Sequence, residues 1–477
     1  MASWQPSGKE LRALGYPEGP VISVALGIVR QHCKHQPREQ VLALLQAVLD
    51  TPAAYAADPL LAPVAAKLLP AEPSVLSLNQ GGAPFRIFGA GDIEQEALHQ
   101  MYTAAKLPIA VAGALLPDAH SGYGLPIGGV LATEGTVIPY GVGVDIGCRM
   151  CLSIYELPPE ELDRRTSFFV QELDAATLFG SGAQFERPSD HPVMEDDLFY
   201  RIPLLKQLHG KAWKQLGSSG SGNHFAEFGI VHLPHRDPVL DMSPGNYLGL
   251  LSHSGSRALG AAVAQHYTKL AMSKRRLPQE ARHLAWLELA EEDGSAYWEA
   301  MSLAGDYASA CHHVLHDKIT RRLGLQPLRR VQNHHNFAWK ETLHGREVIV
   351  HRKGATPAGR DVLGIIPGSM TASGFLVRGK GVADALYSAS HGAGRRMSRS
   401  QVLQNYTRRQ LLDVLEEHGV TLLGGGLDEA PFAYKDIHTV MQHQQELVDV
   451  VGTFTPRIVK MDGAAPKPWQ EKKKKKG

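Results

Sequence analysis

Tyr140–Met150 reads YGVGVDIGCRM. The rest of the chain is organised around it. Asp145 and Cys148 stand three residues apart in a segment rich in Gly and Val. Glycines let such a segment bend, and a bend turns a carboxylate and a thiol towards one point. Further along, three histidine-bearing segments look built to complete a site there. They are Gly217–Phe228 (GSSGSGNHFAEF), Leu251–Arg257 (LSHSGSR) and Asn333–Glu341 (NHHNFAWKE). A fourth, Ser388–Arg399 (SASHGAGRRMSR), sets His391 among glycines and arginines.

The donor types suggest a metal. Asp145 offers a hard oxygen, His224, His253 and His335 offer imidazole nitrogens, and Cys148 offers a soft thiolate able to bridge two ions. That set suits Mn²⁺, Zn²⁺ or a pair of such ions. Taken singly, each histidine reads as a satisfied core or surface residue. The weight comes from their Gly/Ser/Asn-rich, loop-like settings, where function concentrates. Cys148 and Cys151 form a C-x-x-C with no second such pair, so cysteines alone do not build a zinc site. Cys151 opens the alternating run CLSIYEL and is expected as a small buried hydrophobe. Gly217–Asn223 could cradle phosphate with its backbone N–H groups, though no Walker Lys-Ser/Thr follows. Arg257, Arg395 and Arg399 follow candidate histidines closely, and guanidinium forks fit phosphate oxygens. By itself His391 reads as a metal or structural residue; a neutral imidazole can also attack phosphorus.

Composition sets the frame. The chain has 477 residues, 43% hydrophobic, with 49 Lys+Arg against 48 Asp+Glu. That balance excludes a global polyelectrolyte, so anions must be met by local patches. Four cysteines in so long a chain do not make a disulfide scaffold, and the expected compartment is reducing and cytoplasmic. No apolar run reaches the roughly 20 residues a membrane helix needs, and the N-terminus lacks signal-peptide order. The 48 glycines and 30 prolines favour tight loops over long bundles.

Residues 1 to about 70 read as helical, with apolar spacing in Val41–Asp50 and Leu60–Leu69. From about 76 to 150 β-formers alternate with Gly/Pro turns and read as strands of a mixed sheet. Helical patterns follow at 159–175, 256–272, 279–318 and 400–418, with a strand at Glu347–Ala355. The Lys472–Lys476 run reads as a solvated tail, with electrostatic tethering to RNA as the second reading.

These motifs resemble the RtcB family of RNA-splicing ligases from about residue 77 to 462. The resemblance rests on Leu116–Val130 (LPDAHSGYGLPIGGV), Val144–Cys148, Ser221–Glu227, His253–Arg257, His335–Phe337, His351–Ala355 (HRKGA), Ile366–Met370, His391–Arg395 and Asp428–Lys435 (DEAPFAYK). It implies an α/β (α+β) fold. One large catalytic body of layered mixed sheets, flanked by helices, surrounds a metal cleft. The implied domains are a helical extension over 1–75, a ligase domain over 76–463 and a basic tail over 464–477. The implied activity is GTP- and Mn²⁺-dependent joining of RNA 2′,3′-cyclic phosphate or 3′-phosphate ends to 5′-hydroxyl ends. By motif, Asp145, Cys148, His224, His253 and His335 match ligands of two manganese ions, with Cys148 bridging. His391 matches the histidine that carries GMP. Asn223 and Arg395 match GTP phosphate contacts; Phe225, Glu227 and Tyr434 match the guanosine surround. Arg257 and Arg399 match RNA phosphate contacts. Separately, Ser7–Leu26 resembles a short helical segment of tRNA nucleotidyltransferases; its plain reading is a small helical appendage.

The chain departs from the family pattern in ways that suggest a divergent paralogue. Arg149 stands where many members have Gly. Gly368–Phe375 (GSMTASGF) puts Gly374 where a base-reading serine is usual, with Ser373 beside it. Gly305–Ile319 lacks the usual Asn-Arg. Lys460 aligns near the terminal lysine that members place on guanine. The alternative reading is a metal-dependent guanylyltransferase or phosphodiesterase that caps or processes 3′-phosphate ends without sealing. An activating protein is compatible with either, and oligomeric state and physiological RNA are open.

Overall fold

The computed structural model describes residues 6–69 and 75–463. The lysine tail expected over 464–477 lies outside them. The chain divides into two compact units, Met1–Ser74 and Val75–Gly477.

The first unit is helical: α1 (Gly8–Ala13), α2 (Pro20–His32), α3 (Arg38–Asp50) and α4 (Ala62–Leu68). Ser7 and Glu10 form a reciprocal capping box that starts α1. Val41, Leu45 and Val48 recur at helical spacing on α3 and bury against Leu11, Val21, Ala25 and Val64. Each such side chain contributes roughly 1.5–3 kcal/mol by leaving water.

The second unit is mixed α/β and holds two main sheets. The five-stranded sheet contains β1 (Phe85–Ile87), β2 (Ala110–His120), β3 (Ile127–Thr133), β8 (Asn336–Leu343) and β9 (Arg346–Lys353), in the order β1-β2-β3-β9-β8. The eight-stranded sheet contains β4 (Arg149–Tyr155), β5 (Phe225–Leu233), β6 (Gly245–Ser254), β7 (Pro327–His334), β10 (Leu363–Ile366), β11 (Gly374–Gly379), β12 (Thr421–Leu423) and β13 (Val448–Met461). Its order is β10-β11-β13-β5-β6-β4-β7, with β12 parallel to β13. Among the described residues no helix is long and apolar enough to cross a membrane.

Strand alternation explains the layers. Successive side chains point to opposite faces. On β4, Met150, Leu152 and Ile154 pack on one face with Leu251 and Val231. Tyr155, Leu250 and Phe228 face the other way, against α6 (Thr166–Ala176) and α8 (Glu292–Leu323). With both faces covered, all seven residues of β4 are buried.

Two sequence expectations need correction. The 76–150 region is not all strand and turn: Gln95–Ala105 forms helix α5. Its Ala97, Met101, Ala104 and Ala105 follow a 3.6-residue period and bury as one stripe. The helix expected from 279 starts only at Glu292. Residues Gln279–Leu284 form a 3₁₀ turn after Pro278, and Leu287–Glu288 pair with Thr136–Val137 instead. The helix expected over 256–272 is α7 (Arg257–Lys274).

Candidate active site

The Asp145–Cys148 turn is set by its neighbours. Cys148 N–H donates to the Asp145 carbonyl at 3.2 Å, closing a tight turn at the mouth of β4. Gly147 sits at φ +71°, and a Cβ there would meet the Gly305 Cα of α8 at 2.7 Å. Arg149 fastens the same junction from the buried side, donating to the Gly147 and Gly305 carbonyls at 3.3 and 2.9 Å. Opposite, a Cβ on Gly255 would lie 2.2 Å from the Asp145 carboxylate, so only glycine admits that carboxylate.

The register then gathers the histidines. Met150 of β4 is paired with His253 of β6, and His253 with Phe225 of β5, so His253 and the adjoining His224 arrive beside Cys148. His335 follows β7, its backbone N–H bonded to the Cys148 carbonyl at 3.0 Å. The Cys148 Sγ lies 3.5 Å from His224 Nε2 and 3.2 Å from His253 Nε2. His253 Nε2 and His335 Nε2 are 3.2 Å apart, and His224 Nε2 is 3.0 Å from Asp145 Oδ2. All five predicted ligands therefore converge.

The donor set fits a cation. The His224 Nδ1–H donates to the Ser219 carbonyl at 2.6 Å and the His253 Nδ1–H to the Asn223 carbonyl at 3.1 Å. Those bonds turn the Nε2 lone pairs inward, the arrangement outer partners give to metal ligands. Burial pushes His253 and His335 well below the usual imidazole range, keeping them neutral. Burial and the Asp145 charge push the Cys148 thiol well up, so a cation is needed to hold it as thiolate.

The cluster opens on a cavity of about 370 Å³. His391 lines it, its ring centroid 4.9 Å from that of His335. The Asp118 carboxylate, fully buried, takes the His391 Nδ1–H at 2.7 Å and the His391 backbone N–H at 3.1 Å. That fixes the tautomer and leaves the Nε2 lone pair free. Phe225, Leu251, Met370, Val459 and Met461 also line the cavity, with Glu227 among them. Glu227 is buried without a hydrogen-bond partner among the described residues, and burial pushes its carboxyl well up.

Not every predicted contact reaches this cavity. Asn223, Arg395, Arg399 and Tyr434 line it. Arg395 donates to Glu429 at 3.0 Å and lies over the Tyr434 ring; Arg399 pairs with Asp428 and Glu429. Arg257, Ser373 and Lys460 are not among the lining residues. Arg257 is buried, donating to Ser218 Oγ at 3.1 Å and the Gly180 carbonyl at 2.7 Å. Ser373 bonds Thr455 at 3.2 Å. Lys460 alternates away between Val459 and Met461 and pairs with Asp174 at 2.8 Å.

Asp118 and Lys353 have no role legible in the sequence. Asp118 lies in the PDAH motif, but nothing local ties it to a histidine 273 positions away. Lys353, in HRKGA, lines the cavity and donates to the Tyr123 and Leu125 carbonyls at 2.6 and 2.9 Å. Burial pushes it down to about 7. Cys151 is buried as expected, but on the α8 side, where His312 and His316 adjoin it.

The sequence model of the family described as tRNA-splicing ligase RtcB matches residues 100–202 and 203–462. The RNA-splicing ligase RtcB of Escherichia coli K12 is 32% identical over 407 residues, covering 79% of this chain and 97% of that protein. The Mycobacterium tuberculosis RNA-splicing ligase RtcB is 33% identical over 427 residues, covering 75% and 98%. The tRNA-splicing ligase RtcB of Nanoarchaeum equitans is 29% identical over 453 residues, covering 79% and 94%.

Proposed function

This chain belongs to the RtcB family of RNA ligases, and from that premise we propose that it joins RNA 2′,3′-cyclic phosphate or 3′-phosphate ends to 5′-hydroxyl ends with GTP and manganese, through a GMP–His391 intermediate. The observation that supports this most is His391 beside Asp118, facing the cavity onto which the five-donor cluster opens.

The residues divide the work. Asp145, Cys148, His224, His253 and His335 would hold two Mn²⁺ ions. When bound, the ions supply positive charge against the triphosphate and the developing oxyanions. Asp118 holds the His391 Nδ1–H, so Nε2 attacks the α-phosphorus of GTP. The N–P bond forms as the bond to pyrophosphate breaks. A cyclic end is first opened by water, the P–O2′ bond breaking and the 2′-oxygen leaving as a hydroxyl. An RNA 3′-phosphate oxygen then takes the GMP from His391, and the 5′-hydroxyl attacks the activated phosphate, loses its proton to solvent and expels GMP. Asn223 and Arg395 would contact the GTP phosphates. Glu227 can accept from the donor edge of a purine, with Phe225 and Tyr434 flanking it; Arg399 would meet RNA phosphate by exchanging its carboxylate partners. A reducing, cytoplasmic setting belongs to the same proposal, since Cys148 is a free thiol.

The test incubates the chain with GTP, Mn²⁺ and two RNAs, one ending in 3′-phosphate and one starting with 5′-hydroxyl. Joined RNA is expected. Guanylylated RNA that never seals would favour the capping alternative, and no guanylylation at all would refute the proposal.

A further inference from the structure

We propose that Cys151, His312 and His316, with the Ser252 hydroxyl as a fourth donor, form a second metal site, suited to one zinc ion and lying on the opposite face of the central sheet from the Asp145 cluster. The alternation of β4 and β6 makes the separation. Met150 and His253 point to the cavity side, while Cys151 and Ser252 are cross-strand partners pointing to α8. From α8, His312 and His316 come down one turn apart onto the same spot. One ligand atom from each of Cys151, His312 and His316 lies within 4.8 Å of the others. All four side chains are buried.

The hydrogen bonds around the trio have the form of a metal site's outer shell. The Ser254 carbonyl can only accept, so the His312 Nε2–H donates to it at 3.2 Å and the Nδ1 lone pair points inward. The outer nitrogen of His316, Nδ1, meets Ser153 Oγ at 2.8 Å, and Arg330 donates to that same oxygen at 3.2 Å. With Ser153 accepting from both, the His316 Nε2 lone pair also points inward. The two inner nitrogens converge on Ser252 Oγ, at 2.6 Å from His312 and 2.8 Å from His316. One hydroxyl proton cannot serve two lone pairs, whereas a cation beside Ser252 answers both. It also gives Cys151, which has no hydrogen-bond partner among the described residues, a role. The metal-free rival is a proton chain running Ser153–His316–Ser252–His312, which satisfies both rings and leaves Cys151 outside it.

The donors select the ion. A thiolate and two imidazoles without a carboxylate favour zinc over manganese, and full enclosure marks a structural site. Burial pushes the Cys151 thiol up to about 12, so binding releases its proton to solvent. The Arg330 charge nearby is met by Asp317 at 2.7 Å. The inference is independent of the proposed ligase chemistry.

The test uses the full chain carrying Cys148→Ser and His224→Ala, which removes two donors of the Asp145 cluster. The protein is stripped by chelator, checked for cooperative melting, and titrated with cobalt(II). One equivalent is expected to give a near-ultraviolet thiolate-to-cobalt band with tetrahedral visible absorption, and one equivalent of zinc should abolish both. Native mass spectrometry should then show one retained zinc. Adding Cys151→Ser, or separately His316→Gln, should remove the band. A folded double variant with no thiolate–cobalt band and no retained zinc overturns the site in favour of the proton chain. So does a band that survives Cys151→Ser.

Discussion

Replacing Asp118 by asparagine should cripple His391 as the proposed nucleophile while leaving the cluster intact. In the native chain one carboxylate oxygen accepts from both His391 Nδ1, at 2.7 Å, and His391 N, at 3.1 Å. The amide has two settings. With its oxygen in that place, both bonds persist without charge, and the –NH₂ occupies the position of Asp118 Oδ1, which is buried without a partner. With its nitrogen there, it must donate to Nδ1, which forces the proton onto Nε2 and removes the attacking lone pair. Exchanging the charge-assisted bond for a neutral one costs about 1–1.5 kcal/mol. At 1.36 kcal/mol per decade that is roughly a 5- to 13-fold fall in the guanylylation rate, and the wrong tautomer lowers it further. The assay is single-turnover transfer of label from α-labelled GTP to protein. Joining of RNA that already bears a 3′-guanylyl cap is the control, and it should hold near the wild-type rate, as should manganese binding. A variant that guanylylates within about twofold of wild type, where loss of the charge alone predicts at least about fivefold, would refute the role given to Asp118.

Three further outcomes follow from the same geometry. Cys148→Ala removes the thiol that lies near both His224 and His253, so calorimetry should show manganese affinity collapsing and sealing should not return at any manganese concentration; rescue by excess metal would contradict a bridging role. Glu227→Leu should raise the melting temperature of the nucleotide-free chain, because at neutral pH a buried carboxyl without a partner costs stability, yet it should weaken GTP binding by about 10-fold or more; unchanged GTP affinity would remove Glu227 from the base site. Lys353 is held down to about 7 in the fold against 10.5 unfolded. Between those values the unfolded chain binds more protons, so stability should rise with pH, by about 2.3 kcal/mol from pH 7 to 9. Denaturant titrations should show the rise in wild type and its loss in Lys353→Met; equal slopes would contradict it.

The sequence was most legible where chemistry is written in residue type. Asp145, Cys148 and three histidines can be picked out because rare donor types stand in Gly/Ser/Asn-rich settings, and β-register brings them together. The alternation that carries the layers is equally readable in Met150–Tyr155. Helix α5 was hidden because its stripe is mostly alanine, a weak hydrophobic signal among strand-formers. Asp118 was hidden because its partner is remote in sequence. Arg257 and Lys460 carry the right charge in the right motifs. A buried backbone at φ +57° sends Arg257 under the Ser218 loop, and strand alternation turns Lys460 to Asp174. His312 and His316 look like two histidines of a long helix until β4 places Cys151 beneath them.

The most direct test of the central claim is the site of covalent GMP. Protein incubated with GTP and Mn²⁺ is digested and its peptides sequenced by mass spectrometry. GMP is expected on His391, through a bond that acid cleaves and alkali spares, and absent from His391→Ala even though that variant retains its bound metal. GMP found on another residue, or an adduct that persists in His391→Ala, would contradict it.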